Sequence, residues 1–244
     1  SKTRAIVLMS ANGRSPTYPV DDLFEFCTAA GLYLIEDAAQ SLGSKYPSGE
    51  FVGAKSHVAC LSFSMPKIIT MGQGGALVTT NRELSDSIAS LRNFGRASSG
   101  IDDHDHFGIN GKITDMQAVI GLAQLQDLDR RIQRKKAIYD LYREGLAGLA
   151  DCELLVNDVD LVAPWFYELV TPKKSELMAF LASRGVATRD MYRPIPSQSI
   201  YDGCGEDFPV AHRIGVEGLW LPSYVQITDH EIAYICESIR EFFS

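Results

Sequence analysis

No two cysteines of this chain stand in a CxxC spacing. The five present, Cys27, Cys60, Cys152, Cys204 and Cys236, are scattered and odd in number. That fits reduced thiols in a cytosol better than a disulfide framework. Cys27 and Cys60 lie in apolar runs and are expected in the core. No apolar stretch is long enough to span a bilayer, and no secretory leader is visible. Basic charge is also short: 23 lysines and arginines face 31 aspartates and glutamates, a formal net charge of −8. Without a general basic field, nucleic-acid binding through phosphate neutralisation is not expected. An anionic small molecule would need local cations or helix N-termini. Internal repeats and low-complexity tracts are absent too, which excludes a repeat array.

What is present is an ordinary globular composition: 244 residues, 45% hydrophobic and 22% charged. That length suits one large domain, or a large and a small one. Arg4 to Met9 is a continuous apolar run, which predicts a strand buried on both faces. Asn12-Gly13-Arg14-Ser15-Pro16 reads as a loop. Val20 to Ala30 reads as a helix with Leu23, Phe24 and Cys27 on one side and Gly31 as its stop. Leu32 to Ile35 is the next strand, ending in Glu36-Asp37. Strand, helix and strand with short links predict a parallel βαβ unit. Pro47-Ser48-Gly49 is a turn, and strands are expected around Ser62 and Val78. Arg82 to Phe94 reads as a helix, and Arg96 to Gly111 as a long loop, which in a compact domain is more often functional.

Thr114-Asp115-Met116-Gln117 is a capping box that predicts one helix running towards Gly145, its apolar positions recurring from Met116 to Ile132. Beyond about Asp151 the texture changes. A strand from Trp165 to Val170, a helix from Lys174 to Arg184 and a strand at Val186-Ala187-Thr188 are expected. A second capping box at Thr228-Asp229-His230-Glu231 starts a last helix. These define a smaller α+β unit. Trp165, Phe166 and Tyr167 are read as an aromatic strand of its core rather than a base-stacking platform. His104 and His106, with Asp102, Asp103 and Asp105, have metal-ligating chemistry. The run lacks the apolar framing that holds ligand geometry, so a solvated loop and no metal are expected.

Lys67 lies between a hydroxyl-bearing strand end, Ser62-Phe63-Ser64, and a glycine turn, Gly72-Gln73-Gly74-Gly75. Desolvation between two buried strands would lower its pKa and make the amine nucleophilic, the requirement for a Schiff base with a carbonyl. Asp37 ends a strand of an open parallel sheet, where ligands bind. By itself it could equally be a helix cap. Gln40 follows by three residues, and Asn110 stands in Ile109-Asn110-Gly111, a turn tolerant of positive φ.

The runs Ile35-Glu36-Asp37-Ala38-Ala39-Gln40-Ser41-Leu42-Gly43, Ser62-Phe63, Lys67 to Gly75, Asn110, and Gln117 to Gly121 together resemble the DegT/DnrJ/EryC1/StrS family. Its members are pyridoxal-phosphate sugar aminotransferases. The resemblance covers essentially the whole chain and is nearest to members acting on nucleotide-linked 4-keto-6-deoxy sugars, the perosamine type. It implies an α/β chain of the fold-type I, aspartate aminotransferase-like arrangement. Residues 1–130 would be a partial, mostly parallel large domain that binds pyridoxal 5′-phosphate. Residues 131–150 would connect it to a small C-terminal α+β domain at 151–244.

By the same resemblance, Lys67 would bind the cofactor covalently and relay protons. Asp37 would pair with the pyridinium nitrogen, Gln40 with the phenolic oxygen, and Ser62 with the phosphate. Asn110 would reach the phosphate of a neighbouring subunit, which implies a homodimer with a shared site. The substrates would be an amino acid, glutamate by resemblance, and a nucleotide sugar. A cytoplasmic enzyme of lipopolysaccharide O-antigen synthesis is the implied setting, with no nucleic acid and no membrane involved. Lys112 stands where the family usually has arginine, Gln73 replaces a glutamate, and Pro196 takes a histidine position on the substrate side. The family's N-terminal phosphate cradle and stacking aromatic are not found ahead of Ser1, which motivates a second expectation, a truncated non-catalytic relative serving as a dimerisation or regulatory module. Sugar dehydration is a third, and Lys67 argues against it, because dehydratases of the family carry histidine there.

Overall fold

The computed structural model describes residues 2–16, 18–96, 98, 100, 102–201 and 208–244. It divides into two compact units, Ser1–Ile132 with Asp160–Ala163, and Gln133–Val159 with Pro164–Ser244. Among the described residues, no helix is long and apolar enough to cross a membrane.

The first unit begins β1 (Ala5–Met9), α1 (Val20–Ala29), β2 (Tyr33–Asp37), β3 (Val58–Ser62), β4 (Gly75–Val78) and α2 (Arg82–Arg92). The strands form one sheet in the order β1-β2-β3-β4. β1 and β3 pair with β2 in parallel, and β4 returns antiparallel to β3. Helix α1 ends where the sequence places its stop. Gly31 takes φ +66°, and the next N–H, of Leu32, donates back to Cys27 O at 2.8 Å. This closure satisfies the last carbonyls and turns the chain into β2. Cys27 and Leu34 are fully buried together, with Leu23, Phe24, Ile6 and Leu8 packed on them.

β1 is not buried on both faces. Ile6 and Leu8 pack into the core, while Val7 is 65% and Met9 52% exposed. A period-2 backbone sends alternate residues to opposite faces, so an unbroken aliphatic run still buries only one of them when only one is covered. The helix expected from Thr114 is also interrupted. It forms as α3 (Asp115–Leu125) and α4 (Leu128–Gly145). At the break Asp127 N donates to Gln124 O, a tighter turn, and the Asp127 carboxylate ion-pairs with Arg130 and Arg131. An aspartate that can satisfy local donors this way favours restarting a helix over continuing one. The Thr114 capping box itself forms as read.

The second unit holds most of α4, then β5 (Glu153–Leu154), β6 (Tyr167–Val170), α5 (Lys174–Ser183), β7 (Arg189–Asp190), α6 (Pro209–Glu217), β8 (Gly218–Leu221) and α7 (Asp229–Phe243). Its sheet runs β5-β6-β8-β7, all antiparallel. Every residue of β6 and β8 is buried. Tyr167, Leu169, Leu177, Leu181, Leu219 and Ile239 form the centre of the core, each fully buried. Trp165, Phe166 and Trp220 stack on one another at 4.2 and 4.5 Å between ring centres, the core role expected of the first two. The strand expected at Val186–Thr188 lies three residues later, at β7, because its register is set by pairing with β8. β8 and α6 have no counterpart in the sequence reading. Gly218-Leu219-Trp220-Leu221 is too short for a periodicity test, and only burial between two neighbours makes it a strand.

Candidate active site

The carboxyl-terminal ends of β1, β2 and β3 lie side by side, since Met9, Asp37 and Cys60 are register partners across the sheet. Asp37 closes β2 and Ser62 closes β3. Asp37 Oδ1 accepts the Ala39 N–H at 3.1 Å, so the carboxylate caps the following turn with one oxygen and leaves Oδ2 for another role. Capping and ligand binding are thus compatible at this residue.

Gln40 is oriented by a neighbouring loop. Its Oε1 accepts the backbone N–H of Asn12 at 2.7 Å. Asn12 is buried and holds φ +53°, a left-handed conformation that asparagine tolerates better than most residues. At Gly13, also left-handed, an added Cβ would lie 2.7 Å from Ala163 O, so the turn admits only glycine. With Oε1 engaged, the donor end of Gln40, Nε2, is the end that remains to meet an acceptor.

Lys67 sits in a closed loop. Its N–H donates to Ser64 O at 3.1 Å, Met71 N to Phe63 O at 2.9 Å, and Phe63 N to Gly74 O at 2.9 Å. Gln124 braces the loop by accepting Thr70 N–H at 3.0 Å. Gly75 is required by space, since a Cβ there would lie 2.5 Å from Leu61 O, and Gly74 by its φ of +144°. Ser62 Oγ meets Ser64 Oγ at 3.2 Å and Ser64 N at 3.4 Å. Burial holds the half-buried Lys67 amine below the ordinary lysine range, and the negative charge of Asp37 pulls it back up. That opposition places amine and carboxylate within electrostatic reach of one another. Asp37 likewise adds to the burial that raises the Cys60 thiol.

The structure therefore brings Lys67, Asp37, Gln40 and Ser62 to one end of one sheet. Asn110 lies apart from them in the contacts it makes. It is exposed and bridges Asn93, and its side chain makes no hydrogen bond among the described residues. Lys112 Nζ donates to Asn93 Oδ1 at 3.1 Å, and Gln73 O accepts Gln117 Nε2 at 2.9 Å. His104 bonds Phe94 O and Asp102, and His106 bonds Ser90, so each is occupied locally. Cys27 and Cys236 are buried free thiols and Cys60 and Cys152 half-buried ones. Cys204 lies outside the described residues.

Two participants were missed in the sequence. Asn12 orients Gln40, and its only signal is the Asn-Gly pair, read simply as a loop. Glu36 is fully buried on the opposite face of β2 from Asp37. Its carboxylate accepts Tyr46 O–H, Gly53 N–H at 3.2 Å and Lys55 N–H at 3.3 Å. It thereby ties the segment after the site back onto β2. A glutamate inside an apolar strand next to Asp37 was the available signal.

The profile of the DegT/DnrJ/EryC1/StrS aminotransferase family matches residues 1–240. The GDP-perosamine synthase of Escherichia coli O157:H7 is 33% identical over 249 residues, covering 100% of this chain and 67% of that protein. The enzyme of the same name from Vibrio cholerae is 29% identical, again over 100% and 67%. Among solved structures, Streptomyces venezuelae DesV superposes with a TM-score of 0.90 at 30% identity, over 100% of this chain and 66% of that one. The chain thus spans about two thirds of the length of these relatives. On the matched profile, the shared fold and the motifs gathered at the sheet end, the chain belongs to the DegT/DnrJ/EryC1/StrS aminotransferase family.

Proposed function

We propose that the chain carries the catalytic centre of a pyridoxal-phosphate aminotransferase. It moves an amino group from an amino acid, glutamate by family resemblance, to a nucleotide-linked 4-keto-6-deoxy sugar of the perosamine type. The observation that carries this reading is a half-buried Lys67, its pKa lowered by burial, within electrostatic reach of Asp37 at the carboxyl ends of the parallel strands β2 and β3. When bound, pyridoxal phosphate supplies an electron-withdrawing ring that stabilises negative charge at the carbon that loses a proton.

The residues present fit that group. Lys67 Nζ holds the cofactor and moves protons, which a lowered pKa favours because more of the amine is neutral. Asp37 Oδ2 pairs with the ring nitrogen and keeps it protonated. Gln40 donates through Nε2 to the phenolic oxygen, because Asn12 already occupies its Oε1. Ser62 Oγ donates to the phosphate. Asn110 serves a neighbouring subunit, so the active unit is a homodimer. Two observations support this: the exposure of Asn110, and a bare apolar stripe on α3, where Met116, Val119 and Leu122 are 79%, 66% and 62% exposed. Reduced, widely spaced thiols fit a cytoplasmic setting. A role in lipopolysaccharide synthesis is supported by a relative of that name, RfbH of Salmonella typhimurium, 29% identical over 99% of this chain. The non-catalytic alternative is not favoured: two GDP-perosamine synthases and a dTDP-amino-sugar transaminase are among the similar proteins, beside one named a pleiotropic regulatory protein.

Incubation with pyridoxal phosphate, borohydride reduction and peptide mass analysis tests the assignment. The cofactor should be found on the peptide containing Lys67 and be lost in Lys67→Ala. Modification elsewhere, or none at Lys67, overturns it.

A further inference from the structure

A second concave site lies away from the sheet end. Helix α2 forms one wall and the loop from His106 to Lys112 the other, enclosing a cleft of about 590 Å³. Its lining mixes polar and apolar surface and carries three cationic side chains, Arg92, Arg96 and Lys112. Two carboxylates also line it, Asp86 and Asp105, of which Asp86 is held by Arg82 at 3.0 Å. With Asp86 held by Arg82 and Arg96 paired with Asp102, Arg92 and Lys112 face Asp105 alone, a small positive balance in a chain of net charge −8.

The cations are gathered. Lys112 Nζ lies 4.7 Å from the Phe94 ring centre, and the Arg96 guanidinium 5.2 Å from the same ring. Phe94 itself takes φ +63°, which a bulky residue adopts only at a cost of order 1–3 kcal/mol. Two like charges sharing one ring repel, and an anion between them would offset that repulsion. The donors are only partly used. Arg96 Nη2 pairs with Asp102 at 2.8 Å, while its Nε is buried with no hydrogen-bond partner among the described residues. The Arg92 guanidinium makes no hydrogen bond or ion pair among them, although its backbone O accepts the Gly111 N–H at 3.0 Å. The walls are fixed against each other: a Cβ on Gly95 would meet His106 O at 1.8 Å, so the backbones are in direct contact. The cleft is therefore organised before any ligand arrives, which lowers the ordering cost of binding.

We propose that this cleft is a binding site for a diphosphate. Arg92, Arg96 and Lys112 would take its oxygens, with Ser87 and Asn93 as further polar groups at the wall. Guanidinium forks match such oxygens in geometry and charge. The ligand could be the diphosphate of a nucleotide or the free anion, and that identification alone rests on the proposed aminotransferase function. The site stands without the cofactor.

Calorimetric titration of the 244-residue chain at low salt, without pyridoxal phosphate, tests it with inorganic pyrophosphate, GDP and dTDP. Pyrophosphate should bind. In the double variant Arg92→Gln/Lys112→Gln, both exposed side chains, affinity should fall at least about tenfold, the scale of lost charge-assisted hydrogen bonds. The salt slope should flatten with it. Tighter binding of GDP or dTDP than of pyrophosphate assigns the site to a nucleotide-linked ligand. Equal binding assigns it to the free anion. Absence of binding by all three probes, or unchanged affinity in a double variant that melts like the parent chain, overturns the site. Because borohydride capture at Lys67 is measured separately, failure here is distinguishable from failure of the aminotransferase reading.

Discussion

At the scale of single residues, the charge on Asp37 and the burial of Lys67 make opposite demands on one amine. If Asp37 holds a ring nitrogen protonated, Asp37→Asn should cut turnover by about 10²–10³, the usual cost of one well-placed electrostatic group. Borohydride capture at Lys67 should survive in that variant, and its loss would show that Asp37 instead builds the pocket. Glu36 acts on the other face of β2. Burial raises its pKa, opposed by the N–H groups of Gly53 and Lys55. Glu36→Ala would strand those donors and the Tyr46 hydroxyl, and should cost about 2–5 kcal/mol by urea unfolding. Lys135, in the second unit, is a buried amine that no proposed step uses. It donates to Trp165 O at 2.6 Å and Ser223 O at 2.7 Å, and burial lowers its pKa from 10.5 to about 7. The unfolded chain then holds more protons than the folded one between those two values. Stability should rise with pH across that window, by up to about 1.4 kcal/mol per unit. Lys135→Met should flatten the slope between pH 7 and 9.5 relative to the parent chain. Identical slopes in both would show that the amine stays charged when buried.

Among the elements, the two capping boxes were fully legible, because their bonds join residues three apart and need no tertiary partner. Thr228 Oγ1 accepts Glu231 N–H at 3.2 Å, and Glu231 Oε2 accepts Thr228 N–H at 2.7 Å. Thr228→Ala should cost about 1 kcal/mol, and Thr228→Ser close to nothing. An equal loss from both would assign the effect to the threonine methyl. The elements that escaped the sequence reading depend on partners distant in the chain. β8 is a strand because β6 and β7 flank it. The gap between α3 and α4 arises from an aspartate with two arginines in reach, a choice that apolar periodicity does not record. Leu219, fully buried at the centre of β8, should cost about 2–5 kcal/mol on change to alanine. Thermal melting followed by near-ultraviolet circular dichroism would register it through the Trp220 environment.

For the whole molecule, the question is what covers the apolar side chains left bare. A stripe such as that on α3 is rare on a chain that remains single. Sedimentation of the parent chain should show a dimer, and Val119→Lys/Leu122→Lys should shift it towards half the mass. A parent chain already monomeric across micromolar concentrations would remove the shared-site reading, while borohydride capture at Lys67 could still succeed.

Composition and local pattern were enough to show that the chain has no general basic field, to lay out the βαβ start and to end α1 at Gly31. They also marked Asp37, Ser62 and Lys67 as chemistry-bearing residues of a known family. These features rest on charge totals, on bonds between near neighbours and on residue types that chemistry requires. Only the tertiary structure decided that β1 buries a single face, that Gln40 is oriented by Asn12, and that Glu36 anchors the far side of β2. It alone brought Arg96 and Lys112 to one ring, that of Phe94, with Arg92 on the wall of the same cleft. Each of those outcomes depends on groups brought together from separate parts of the chain, where burial and charge, rather than spacing, set the result.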